Sequence, residues 1–148
     1  MKTRTLEVIL QIALETFPIV LLNGARQVGK STLALEKFKN YLTFDDGELR
    51  LYAKENPKVF LKNLELPICL DEIQKVPAML DEVHRRIESR RSRPIQFILT
   101  GSSARKLKRR GTNLLGGRAW IRRLHPLCSA EIGDYDVQRI FRYGSLPA

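Results

Sequence analysis

Nine consecutive residues carry the clearest chemistry in the chain: Gly24-Ala25-Arg26-Gln27-Val28-Gly29-Lys30-Ser31-Thr32. They fit G-x-x-x-x-G-K-[ST], a pattern whose backbone N–H groups cradle phosphate oxygens. Gly24 and Gly29 allow positive φ and a close backbone approach to a ligand. Successive N–H groups then converge on one concavity, and the following helix adds the positive end of its dipole. Lys30 suits the β- and γ-phosphates and is expected to face solvent at this anion site. The Ser31 hydroxyl suits Mg²⁺.

Asp71-Glu72 closes a short apolar run, Leu66-Pro67-Ile68-Cys69-Leu70. Ligands bind at the carboxyl ends of strands in a parallel sheet, so Asp71 is expected at the same edge as the phosphate loop, helping to hold Mg²⁺. Glu72, one residue on, is placed to act as general base toward an attacking water. On its own such a pair is more often a helix cap or a surface pair; the phosphate loop upstream is what favours chemistry. Thr100 ends the next apolar run, Ile95 to Thr100, and offers a hydroxyl to a γ-phosphate or to the water. Ser102 is its rival, or else Ser102 or Ser103 caps the following helix. Arg118 follows Gly116-Gly117. An arginine on a mobile loop can supply charge to a transferring phosphate, in cis or from a neighbouring subunit; the alternative is a surface arginine in an ion pair.

These residues need a scaffold of alternating strands and helices. Leu6, Ile9, Leu10, Ala13 and Leu14 have helical spacing over residues 6 to 15. Pro18 opens the first strand, Ile19 to Leu22. A helix follows from Thr32 to Phe38, then a strand over Tyr41 to Phe44. One aspartate of Asp45-Asp46 is expected to cap a helix through Glu48 to Lys54, which Pro57 breaks. A short helix over Val59 to Leu61, a longer one over Met79 to Arg90, a basic one over Lys106 to Arg110, a fifth strand over Arg118 to Leu124 and a last helix over Tyr135 to Arg142 complete the pattern. Strands alternating with helices imply βαβ units and a mainly parallel sheet.

The chain has 148 residues with 43% hydrophobic and 28% charged, an ordinary mix for one domain with a real core. No apolar run approaches a membrane span, and the first residues do not read as a secretory signal. Cys69 and Cys128 stand far apart, so a reduced, cytoplasmic protein is the expectation. His84 and His125 lack companions at ligand spacing. The net charge of +10 favours polyanion partners. Basic clusters at Arg85-Arg86, Arg90-Arg91-Arg93 and Arg105-Lys106-Lys108-Arg109-Arg110 leave nucleic acid open as a partner. A charge run is more often a solvated face, and aromatic interleaving for stacking is poor.

An ordered set of segments now supports a resemblance. The phosphate loop is followed by Leu70-Asp71-Glu72-Ile73-Gln74, Leu99-Thr100-Gly101-Ser102-Ser103 and Leu115-Gly116-Gly117-Arg118. Pro126-Leu127-Cys128-Ser129-Ala130-Glu131 and Gly144-Ser145-Leu146-Pro147 come last. Together they resemble a prokaryotic AAA-type P-loop ATPase family, in which the ATPase domain is followed by a C-terminal domain of unknown function. The resemblance spans nearly the whole chain. It implies an α/β, three-layer αβα P-loop NTPase fold with a mainly parallel five-stranded sheet, in which the strand bearing Thr100 lies between those bearing the phosphate loop and Asp71. It implies ATP and Mg²⁺, with Lys30 and Ser31 or Thr32 on phosphates and metal, Asp71 serving Mg²⁺ and Glu72 activating water. Cys128 stands where the family commonly has Ser. The family's C-terminal domain is absent, so residues 1–148 are expected to be the N-terminal part of a longer architecture. The leading expectation is an ATP-binding domain that hydrolyses ATP weakly or with a partner, a homo-oligomer among the possibilities. The alternatives are a nucleotide-gated nucleic-acid-binding module and a P-loop small-molecule kinase.

Overall fold

Three short strands with apolar runs, Ile19 to Leu22, Ile68 to Leu70 and Phe97 to Leu99, account for the centre of the molecule, flanked by two more polar edge strands. Such runs suit a parallel sheet covered on both faces. The computed structural model describes residues 4–89, 97–102, 117–132 and 136–146. In chain order these form α1 (Leu6–Thr16), β1 (Ile19–Asn23), α2 (Lys30–Lys37), β2 (Asn40–Thr43), α3 (Gly47–Glu55), α4 (Pro57–Lys62) and β3 (Ile68–Asp71). Then come α5 (Pro77–Glu88), β4 (Phe97–Gly101), β5 (Ala119–Arg123) and α6 (Val137–Tyr143). Short 3-10 turns cover Ile73–Lys75 and Ser129–Glu131.

The strands make one sheet in the order β2-β3-β4-β1-β5, and every recorded pairing is parallel. The strand bearing Thr100 therefore lies between the strand that leads into the phosphate loop and the strand that ends in Asp71, as the resemblance implied. Side chains alternate across the sheet. Val20, Leu22, Cys69, Ile98 and Trp120 pack with Leu10 and Ala13 of α1 and Leu33 and Ala34 of α2. Ile19, Leu21, Ile68, Leu70, Phe97 and Leu99 pack on the other side with Ala53, Phe60 and Leu61, and with Met79, Leu80, Val83 and Ile87 of α5. The result is three layers.

Local signals explain most boundaries. Asp46 caps α3, its carboxylate accepting from the N–H groups of Glu48 at 2.9 Å and Leu49 at 3.1 Å. Pro57 and Pro77 stand in the first turns of α4 and α5, where a missing N–H costs little. β2 runs one residue earlier than expected and releases Phe44, which turns into the core beside Phe60 with ring centroids 6.0 Å apart. Its N–H still donates to the Asp71 carbonyl at 3.1 Å, so the ring is buried without loss of that backbone bond. α6 starts at Val137 because Asp136 caps it, accepting from Gln138 N–H at 2.9 Å. The expected features at Pro94, Ile95, Ser103, Lys106 to Arg110, Gly111, Gly116 and Tyr135 lie outside the described residues.

At the carboxyl edge, the loop after β1 is wedged between its neighbours. Gly24 N–H donates to Gly101 at 3.2 Å, and Leu124 N–H donates to Asn23 at 2.7 Å. A Cβ on Gly24 would collide with the backbone carbonyl of Leu124, and the residue sits at φ 156°. Glycine is needed here for close approach to another loop as well as to a ligand. Gly24→Ala is expected to cost about 1–3 kcal/mol by overpacking, read as a lower urea midpoint with an unchanged slope. An unchanged midpoint would show that the loop after β5 yields freely.

Candidate functional site

The phosphate loop leaves β1 at Asn23 and enters α2 at Lys30. Gln27 and Gly29 both take positive φ, 63° and 92°, and Gly29 is the residue on which α2 starts. Left-handed residues within such a turn direct successive N–H groups toward one side, the geometry of an anion nest. Gln27 holds that conformation without being glycine, at a cost of about 1 kcal/mol.

Lys30 departs from expectation. It is only 5% exposed, and its ammonium donates to the carbonyl oxygens of Ala25 at 2.7 Å and Gly24 at 3.1 Å. α2 packs on the core through Leu33 and Ala34, and the lysine lies back along the loop that precedes it. Burial pushes its pKa below the ordinary value, the Glu72 and then the Asp71 carboxylates oppose that, and Arg26 reinforces it. A buried ammonium with depressed pKa is a site that gains from an arriving anion.

Asp71 ends β3 and is 3% exposed. Its carboxylate can only accept, and hydroxyls from three elements donate to it. Ser31 on α2 donates to Oδ2 at 2.9 Å, Tyr41 on β2 donates to Oδ2 at 2.6 Å, and Thr100 on β4 donates to Oδ1. Burial and the Asp71 carboxylate push the Tyr41 phenol well above its ordinary pKa. Thr100 is fully buried. Its oxygen also accepts the Glu72 N–H at 3.3 Å, so one hydroxyl links the aspartate to the glutamate after it. Glu72 itself sits at φ 55°. Its Oε2 accepts from Ser102 Oγ at 2.9 Å and from the Gln74 amide.

Ser31, Asp71, Glu72 and Thr100 are thus brought together beside the phosphate loop. Arg118 is not. It precedes β5, where Ala119 pairs with Ile19 at the start of β1, so a strand's length of about 15 Å separates it from the loop. There it pairs with Glu88 at 2.7 Å. Of the basic clusters, Arg85 pairs with Glu82 at 2.8 Å and Arg86 donates to the Leu61 carbonyl. Arg90, Arg91, Arg93 and the run from Arg105 to Arg110 lie outside the described residues.

The open cleft here encloses about 1240 Å³. One wall is Arg26, Gln27, Gly29, Lys30, Ser31 and Thr32, with Glu72, Lys75 and Asp45 beside it. Lys75 and Asp45 form an ion pair. The opposite wall holds Arg4, Leu127, Ile132, Asp136, Arg139 and Ile140. That wall is tied together by Arg4, which donates to the His125 carbonyl and lies 3.5 Å from the Glu131 carboxylate. Sequence reasoning missed Tyr41, Arg4 and this second wall. Tyr41 looked like an ordinary strand aromatic. The segment from Pro126 to Glu131 entered only as part of a resemblance, without a role.

The donor set fits a nucleotide-bound divalent cation. Ser31 spends its proton on Asp71, which leaves its oxygen lone pairs free for a cation. No group of three His, Cys, Asp or Glu side chains able to hold a metal occurs among the described residues. A cation here would rest on Ser31, Asp71 and phosphate oxygens, the usual arrangement for Mg²⁺.

A phosphate loop on a three-layer sheet, with the Thr100 strand inserted between those of the loop and Asp71, defines a P-loop ATPase-type domain. A family profile described as an AAA domain matches residues 16–133, and the chain belongs to that family. It is also similar to the uncharacterized proteins Mb2031c of Mycobacterium bovis and Rv2008c of Mycobacterium tuberculosis. Each is 31% identical over 141 residues, covering 93% of this chain and 32% of the relative. The chain therefore spans about a third of the length of these relatives. Membership supports nucleotide binding of the ATPase type. No helix among the described residues is long and apolar enough to cross a membrane.

The shared hydroxyl of Thr100 makes a direct prediction. Thr100→Val leaves both Asp71 Oδ1 and the Glu72 N–H without that partner, and stability is expected to fall by about 1–3 kcal/mol. Thr100→Ser keeps the hydroxyl and is expected to recover most of it. Chemical denaturation of both variants checks the difference.

Proposed function

We propose that this domain binds ATP with Mg²⁺ and hydrolyses it to ADP and phosphate, slowly as a single subunit, and that it forms the N-terminal part of a longer protein. The observation that carries this reading is the hydrogen-bonded chain Ser31–Asp71–Thr100–Glu72 beside the phosphate loop. It joins a cation-ready hydroxyl and carboxylate to a general-base candidate on the neighbouring residue.

The phosphates lie against the N–H groups of the loop from Gly24 to Thr32. Lys30 turns its ammonium from the Gly24 and Ala25 carbonyls toward the β- and γ-phosphates. Mg²⁺, when bound, neutralises phosphate charge as a Lewis acid. Ser31 and Asp71 would hold it. Glu72 orients a water and takes its proton. The water oxygen bonds to the γ-phosphorus as the bond to the β–γ bridging oxygen breaks, and ADP leaves with that electron pair. Thr100 acts through Asp71 and Glu72, and Ser102 with Gln74 sets where the Glu72 carboxylate points. Arg118, across the sheet from its own site, contributes only to a neighbour's.

Glu72→Gln is expected to keep Mg·ATP affinity and to lose at least ~100-fold in turnover, the usual share of a general base. Lys30→Ala is expected to abolish ATP binding, with circular dichroism showing the fold retained. Turnover by Glu72→Gln at the parental rate would remove Glu72 from the base role, and unchanged affinity in Lys30→Ala would remove the phosphate-loop assignment.

Action by Arg118 in trans has its own test. Arg118→Ala and Lys30→Ala are each expected to be nearly inactive, and a mixture to regain part of the activity as protein concentration rises. An Arg118→Ala protein with parental turnover at every concentration leaves Arg118 as the partner of Glu88 and nothing more.

A further inference from the structure

We propose that Tyr41 is a positioning residue for the divalent cation, acting through Asp71. This rests on the nucleotide reading above and names a residue that neither the motifs nor the family match assigns. The geometry is specific. Tyr41 and Ser31 donate to the same oxygen of Asp71, at 2.6 and 2.9 Å, and Thr100 donates to the other. The three donors come from a helix, an edge strand and a central strand, so they hold the carboxylate against rotation from three directions.

Their roles differ. Thr100 lies fully inside the sheet and is shared with the Glu72 backbone. Ser31 is the hydroxyl that would face the cation. Tyr41 is half-buried, sits on the edge strand, donates to Asp71 at 2.6 Å and has Ser31 as a further side-chain hydrogen-bond neighbour. Its hydroxyl therefore meets both the carboxylate and the serine that would hold the cation. It keeps Oδ2 directed at the Ser31 proton, and so keeps the Ser31 lone pairs directed outward. Without it, Oδ2 can swing and Ser31 can turn its proton toward the cation position. Partners of this kind commonly change metal affinity by 10–100-fold when removed.

The alternative is that Tyr41 merely packs. Its ring lies against the face that carries Cys69 and Ile98, and Tyr41→Phe keeps that ring. ATP affinity is measured for the full chain by titration, once with EDTA and once with saturating Mg²⁺. In the parent, Mg²⁺ is expected to strengthen binding. In Tyr41→Phe the affinity in EDTA is expected to stay within about twofold, while the gain from Mg²⁺ falls about tenfold. Mn²⁺ in place of Mg²⁺, followed by its paramagnetic resonance spectrum, is expected to show the same weakening without any turnover.

An undiminished Mg²⁺ gain in Tyr41→Phe overturns the proposal. So does an equal loss with and without Mg²⁺, which marks a packing role. A parent that binds no ATP in either condition overturns the nucleotide reading itself. A parent that binds ATP with no response to Mg²⁺ leaves nucleotide binding intact and removes the cation that Tyr41 is said to serve.

Discussion

A carboxylate buried in an apolar sheet is costly unless its oxygens are filled with donors. Asp71, 3% exposed at the end of β3, sets that requirement. Its solution needs Ser31 from the first turn of α2, Tyr41 from β2 and Thr100 from β4. Each donor in turn fixes an element. The Ser31 bond ties the start of α2, and with it the phosphate loop, to β3. The Thr100 bond needs β4 beside β3, and the Tyr41 bond needs β2 on the other side. The strand order and the site are thus two views of one polar constraint, set where the hydrophobic sheet runs out.

The cleft built on that edge has unequal halves. The half made by the phosphate loop, Asp71 and Glu72 stands on strands and on the first turn of a helix. Such elements hold donors more tightly than loops. The other half is assembled from the beginning and the end of the described chain. Its integrity depends on Arg4, Glu131 and the backbone of the segment after β5. Glu131 accepts from Thr5 N–H at 2.8 Å and Cys128 N–H at 3.0 Å, and these bonds with Arg4 hold its carboxyl below the usual range against the opposing effect of burial. Local capping and long-range closure of the cleft are therefore the same few hydrogen bonds. The bond from residue 128 uses the backbone N–H, so it does not depend on the thiol of Cys128.

Charge follows the same division. The chain is strongly basic, yet the arginines described on α5 are engaged within the fold, Arg85 with Glu82 and Arg86 with a backbone carbonyl. Arg122 and Arg123 lie on the edge strand β5, with Arg122 over the Trp120 ring at 4.9 Å. Charged side chains on an edge strand discourage further strand pairing. Positive charge that faces the cleft comes from Arg4, Arg26, Lys30, Lys75 and Arg139, the distribution a polyphosphate requires.

Much of this was legible in the sequence because the determinants are local. Gly24, Gly29, Lys30 and Ser31 announce a phosphate loop by spacing alone, and Asp71-Glu72 after an apolar run announces a strand end. An aspartate of Asp45-Asp46 marks a helix start and Pro57 a helix end through backbone chemistry that needs no tertiary partner. The place of the Thr100 strand came through resemblance, since periodicity says that strands exist and not which ones pair. What only the tertiary structure decided is where side chains distant in sequence spend their hydrogen bonds. Thr100 read as a candidate for touching phosphate or water, but burial turns it toward Asp71 and the Glu72 backbone. Lys30 read as solvent-facing, but packing of α2 folds it back on its own loop. Tyr41 read as a strand aromatic, and Arg118 as either a finger or a surface arginine in an ion pair; the structure pairs it with Glu88. Each outcome depends on which strand lies alongside and at which sheet edge the residue falls, and both are set by pairing between segments tens of residues apart.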